Sequence, residues 1–192
     1  MCLLIAVADV DRFGNPLKEK VIPVAMYKRT SEQVTAALGE AIKEIVETAA
    51  VAGKPLIIED LDFVKKKLQL REKGNNYARM LSSFCYSKFK AMLLAKAARE
   101  GVEVIIVNPF ATSLIGQLKF MKRYGLSSHG AAAVAIARRG IGFNDKRPKT
   151  KIIKLPAFPR NMTSWKCWSK AIKAIKKKYT FKERIVLLSK SA

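Results

Sequence analysis

The chain has 192 residues, 49% of them hydrophobic, and carries 37 Lys and Arg against 15 Asp and Glu, a formal charge of +22. That length and apolar content exclude a disordered basic tail and allow one ordinary domain with a sizeable core. No apolar run approaches the ~20 residues of a membrane helix, and no membrane partner is the first expectation. The charge points to polyphosphate, whose counterions a basic surface releases, and by itself does not separate DNA from RNA or either from an anionic membrane surface.

In chain order, MCLLIAVADV opens without a basic lead and meets Asp9 early. It is read as no signal peptide, and a cytoplasmic location is expected. LLIAVAD (3–9) reads as a strand, RFGNP (12–16) as a turn and KVIPVAMY (20–27) as a second strand, with Pro23 marking an edge. Thr30 and Gln33 have capping-box spacing ahead of apolar residues at Val34, Leu38, Ile42, Ile45 and Ala49, which predicts an amphipathic helix ended by Gly53. Leu56 to Glu59 reads as a short buried strand.

A long helix is expected from near Asn75 to Gly101, its core face set by Tyr77, Met80, Phe84, Phe89 and Leu93. Val102 to Val107 is nearly all β-branched and reads as a strand buried on both faces, closed by Asn108 and Pro109. Residues 114–122 are helical in pattern and Gly125 breaks them. Ser127 or Ser128 then caps a helix running through Arg139, whose AAAVAIA interior suits close approach to a sheet. This order, β, β, α, β, α, β, α, α, predicts an α/β fold with a mixed sheet and flanking helices. There is no internal repeat. The cysteines, Cys2, Cys85 and Cys167, are scattered and form no C-x-x-C pair, so neither a zinc ribbon nor a disulfide framework is expected, and Cys85 reads as a small buried hydrophobe.

The acids in KPLIIEDLDF (54–63) stand out in so basic a chain. Functional groups of open α/β sheets gather beyond the carboxyl ends of strands, and Glu59 is at such an end. A hard divalent cation wants oxygen ligands converging from several elements. The other reading is a solvated strand end followed by a turn, which is preferred for Asp60 and Asp62. His129, the one histidine, falls in the first turn of the last of these helices, where the positive end of the helix dipole disfavours imidazolium. It is either a metal ligand or proton-handling group, or a surface residue at a helix cap.

Taken in order, these stretches resemble the RuvC-like branch of the RNase H fold. More closely, residues 3 to 143 are similar to the C-terminal nuclease portion of TnpB/OrfB-type transposon proteins, relatives of the type V CRISPR effectors. IIEDL is similar to that family's second nuclease motif and puts its catalytic Glu at Glu59. VIIVNPFATS is similar to the following strand and its Thr-Ser step, at Thr112 and Ser113. SSHGAAAVAIARRGIGF resembles the third motif in a variant branch, with His129 where most members carry Asp.

The resemblance implies a transposase-associated, Mg²⁺- or Mn²⁺-dependent DNA endonuclease with guide RNA as a further partner. Glu59 and His129 would be catalytic and metal-holding, with Lys88, Lys90, Arg138 and Arg139 approaching phosphates. Two departures matter. Leu114 to Tyr124 stands where most members carry a four-cysteine zinc ribbon, so no zinc is expected. The family's first motif is a central strand bearing the first catalytic Asp, followed by a hairpin like LIAVADVDRFGNPLKEKVIPVAM; here that hairpin begins at residue 3. The first central strand is therefore expected to be missing, to be supplied by an N-terminal segment or by another chain completing the sheet. Asp9 and Asp11, on the rim opposite Glu59, are not expected to replace it. This polypeptide alone is expected to cleave little or not at all.

Residues 1–145 are read as the partial RuvC-like domain and residues 146–192 as a basic helical extension, joined at KRPKTK (146–151). The extension holds 15 Lys and Arg and one acid, Glu183. Trp165, Trp168, Ile172, Ile175 and Tyr179 make one helical stripe among lysines. Three readings stay open for it. It is a core stripe, an aromatic platform beside a lysine track for nucleic acid (Trp165, Lys166, Trp168, Lys170, Lys173, Lys177), or a surface for a membrane or partner helix. Beside the nuclease reading stands a non-catalytic nucleic-acid-binding protein, and behind it, on charge alone, a structural RNA-binding protein of the ribosomal kind.

Overall fold

The structure is a computed structural model and describes residues 2–26, 28–61, 76–146, 148 and 152–190. Asp62 and most of the KRPKTK linker lie outside the described residues, as do the side chains of Tyr77, Met80 and Phe84. The chain is a mixed α/β protein. Its contacts divide it into two compact units, Met1–Ile5 with Ile22–Asn108, and Ala6–Val21 with Pro109–Ala192.

A hairpin, β1 (Cys2–Val10) and β2 (Pro16–Ala25), contributes to both units. Asp11 shapes its turn, accepting hydrogen bonds at Oδ1 from the backbone N–H of Phe13 and of Asn15, each 2.8 Å. Gly14 follows with φ +74°, a conformation that suits a residue without Cβ. The Asp11 carboxylate is therefore a turn-maker.

In the first unit, α1 (Ser31–Ala52) begins at the expected capping box. Thr30 Oγ1 accepts from Gln33 N at 3.2 Å, and Gln33 Oε1 accepts from Thr30 N at 3.1 Å. Gly53 ends it in the left-handed conformation. Its inward face, Leu38, Ala41, Ile42 and Val46, meets Leu93 and Ala97 of α2 (Asn76–Arg99) and Val24 of β2 in one cluster. Leu38 and Leu93 are fully buried, each burial stabilising by about 2 kcal/mol. Cys85 is buried as expected, and that burial raises its thiol pKa.

β3 (Leu56–Glu59) lies parallel to β4 (Val104–Val107), in the register Leu56 to Val104 and Glu59 to Val107. The helix α2 is the crossover such a pair requires. Two expectations are corrected here. The described strands make two separate two-stranded ladders, β1–β2 and β3–β4, rather than one mixed sheet. And β4 is not buried throughout: Leu56, Ile58 and Val104 reach the core cluster, whereas Ile106 is 45% exposed. Continuous β-branching marks a strand but cannot say how far its cover extends.

In the second unit, α3 (Thr112–Gly116) runs through a π-helical turn (Gln117–Met121) into α4 (Lys122–Tyr124) and stops at left-handed Gly125. Next comes α5 (Ser128–Gly140), capped as expected by Ser127, whose Oγ accepts from Gly130 N at 3.0 Å. The small residues of α5 serve close helix-on-helix packing, and Ala8 and Val10 of β1 pack against the same cluster. A Cβ on Gly116 would lie 2.5 Å from both the carbonyl carbon and oxygen of Ala131. The basic segment adds α6 (Ser164–Lys178) and α7 (Phe181–Lys190). Ile153, Trp168, Ala171, Ile175 and Leu188 share one core cluster with Leu114, Ile115, Phe120, Met121, Ala131, Val134 and Ala135.

Candidate nucleic-acid interface and acidic strand end

Glu59 ends β3, and its carbonyl oxygen accepts a hydrogen bond from Tyr86 OH on α2. Burial, then the negative charges of Glu59 and Asp60, push the Tyr86 phenol up to about 12. The strand ladder continues one residue further, with Asp60 N donating to Val107 O at 2.7 Å. Lys90 Nζ lies 3.0 Å from Asp60 Oδ1, and Lys88 Nζ donates to Thr35 Oγ1 on α1. Both lysines expected to approach phosphates thus have partners within their own unit. Both are also partly exposed.

Of these acids, Asp60 already faces the Lys90 ammonium. Among the described residues, no three His, Cys, Asp or Glu side chains gather as a metal group. His129 belongs to the other unit from Glu59 and is exposed in the first turn of α5. Beside it Glu19 reaches the same helix start, its Oε2 accepting from Ser127 N at 3.1 Å and its Oε1 from Ser127 Oγ. Sequence spacing gave no sign of that 108-residue contact.

Arg138 and Arg139 hold together the second unit. Arg138 Nη1 donates to Gly14 O at 2.8 Å, its guanidinium stacks over Phe143 with 4.6 Å to the ring centre, and its Nε is 3.6 Å from Asp145 Oδ2. Arg139 Nη2 donates to Phe110 O at 2.9 Å, and burial lowers its pKa against the opposing pull of Asp145. Asp145, unnoticed in the sequence, is the hub of this corner. Its carboxylate, 7% exposed, takes Lys119 Nζ at 3.1 Å, and its carbonyl takes the Trp168 indole N–H at 2.8 Å.

The two tryptophans of α6 part company. Trp168 is 2% exposed and lies in the core cluster, with no ring face left for a base. Trp165 is 53% exposed and stacks on Phe110, ring centres 3.5 Å apart and planes 19° from parallel. Cys167, Trp168, Ala171 and Ile175 form the buried side of α6. At ~100° per residue, Lys166, Lys170, Lys173 and Lys177 fall together on the opposite side, and all four are exposed. They make a straight row ~16 Å long. Lys170 Nζ also donates to Ala157 O at 3.1 Å. A row of ammonium groups backed by a rigid helix is suited to tracking a phosphate backbone.

Comparison with known proteins adds one relative. The chain is similar to an uncharacterized protein of Saccharolobus solfataricus, SSO2105, with 32% identity over 88 residues, covering 45% of this chain and 23% of that protein. No family model matches, and no solved structure matches. No helix among the described residues is long and apolar enough to cross a membrane.

Proposed function

We propose that the chain is a nucleic-acid-binding portion of a RuvC-like, RNase H-type domain from a TnpB-like transposon protein, and that it binds DNA without cutting it alone. The observation that carries the binding is the exposed row Lys166, Lys170, Lys173 and Lys177 opposite the buried face of α6. The nuclease kinship draws support from element positions. Glu59 closes β3, Asn108 follows the adjacent parallel β4, Thr112 opens α3 and His129 sits in the first turn of α5. Cleavage on this reading waits on further carboxylates, and guide RNA would be a second polyanion for the same basic surface.

The test is fluorescence anisotropy with labelled DNA across a salt series, run beside a Mg²⁺ cleavage assay. Binding should weaken steeply with salt, and replacing the four lysines by Gln should lower the slope of log K against log[salt] by about 3 to 4. A slope unchanged in that variant would refute the interface. Robust Mg²⁺-dependent cutting, abolished by Glu59→Ala, would refute the claim that the chain alone does not cleave.

A further inference from the structure

Beside the lysine row the second unit holds a cavity of about 210 Å³, lined by Phe110, Arg139, Asn144, Asp145, Ser164 and Trp165 among others. It has the makings of a slot for one flat heterocycle. Trp165 has one ring face against Phe110 and is still 53% exposed, so the ring offers its other face to a second flat group. Polar groups with fixed positions line the same space: Arg139 is anchored on Phe110 O, and Asp145 is held by Lys119. The backbone here is also strained, since Ala111, next to Phe110, adopts φ +62° although it is not glycine. Strain of this kind clusters at binding sites. Lys166 follows Trp165 directly and opens the lysine row.

We propose that this slot takes an unpaired nucleobase, stacked on Trp165, while the phosphates of the same strand follow Lys166, Lys170, Lys173 and Lys177, so that the preferred ligand is single-stranded nucleic acid. Single strands are held in this way, by aromatic stacking beside a basic track, and a base stacked inside a duplex has no free face to give. The inference rests on the nucleic-acid reading above and adds to it the strand state and the stacking residue. The phosphates explain affinity; the Trp165 ring explains why bases matter.

The experiment uses the full chain with two probes, a short oligothymidylate and an abasic oligodeoxyribonucleotide of the same length. Wild-type protein should bind the oligothymidylate about tenfold or more tightly than the abasic strand. Oligothymidylate should quench tryptophan emission and the abasic strand should not, since Trp168 is buried. Trp165→Ala should abolish the preference, and Trp165→Phe should retain most of it. Equal affinity for both strands, or a preference that survives Trp165→Ala, overturns the slot and leaves the lysine interface standing. Failure to bind either strand overturns both readings. The comparison of strands on wild-type protein requires no variant to fold.

Discussion

Gly116→Ala is a sharp test of how the second unit is packed. Gly116 has φ −54° and ψ −54°, ordinary helical values, so an alanine could adopt them without strain. On propensity alone it should stabilise by about 1 kcal/mol. The tertiary contact opposes this. The new Cβ would stand 2.5 Å from the carbonyl carbon and oxygen of Ala131 and 2.6 Å from Ala132 N, all backbone atoms that no rotamer change can clear. Helices α3 and α5 would have to move apart, disturbing Leu114, Ile115, Ala131 and Val134 in the core cluster. Overpacking of this kind costs about 1–3 kcal/mol and at times more. The net expectation is a loss of up to about 2 kcal/mol, or a Tm lower by up to about 8 °C. Gly39→Ala in α1 is the control, since its nearest neighbour would be Met92 Cε at an ordinary 3.7 Å. It should raise Tm by about 2 °C. The assay is thermal denaturation followed by circular dichroism at matched concentrations. If Gly116→Ala raises Tm as Gly39→Ala does, the close approach of α3 and α5 is wrong.

Other substitutions probe single contacts. Asp145→Ala leaves the Lys119 ammonium and the Arg138 guanidinium without their shared carboxylate, and should destabilise by about 3 kcal/mol in urea denaturation. Thr30→Ala removes the capping box of α1 and should cost about 1 kcal/mol by the same measurement, whereas Thr30→Ser should cost much less. The Glu183 carboxyl is held below its ordinary pKa, chiefly by the Thr180 backbone N–H and then by the Thr180 hydroxyl. A depressed carboxylate adds its stability above the unfolded-state pKa and loses it as pH falls through the lower folded value. Helicity of α7 should therefore weaken on acidification below the ordinary carboxylate range, and the change seen by circular dichroism should be smaller in Glu183→Gln. A response equal in both proteins would exclude the contact as its cause.

Much of the local structure could be read directly from residue order. The capping box at Thr30 and Gln33, the stops at Gly53 and Gly125 and the Ser127 cap all depend on interactions within a few residues. Such interactions are the same whatever the chain does elsewhere. The stripe of α6 was equally legible as a pattern, because helical spacing brings Trp165, Trp168, Ile172 and Ile175 to one side in any context. Its division was not. Trp168 became core because the Asp145 carbonyl, 23 residues away, meets its indole N–H, while Trp165 stayed exposed on Phe110.

The tertiary structure also decided what periodicity cannot carry. Ile106 reads like its β-branched neighbours yet is 45% exposed, since cover depends on what packs over a strand. Arg138 and Arg139, expected at phosphates, bind carbonyls at Gly14 and Phe110, partners 124 and 29 residues distant. By itself the sequence determined the elements, their ends and the basic character of the chain, because those follow from local backbone chemistry and from charge. Only the fold decided which cations remain on the surface, which aromatic ring keeps an open face and how closely α3 meets α5, because each is set by contacts between residues far apart in the chain.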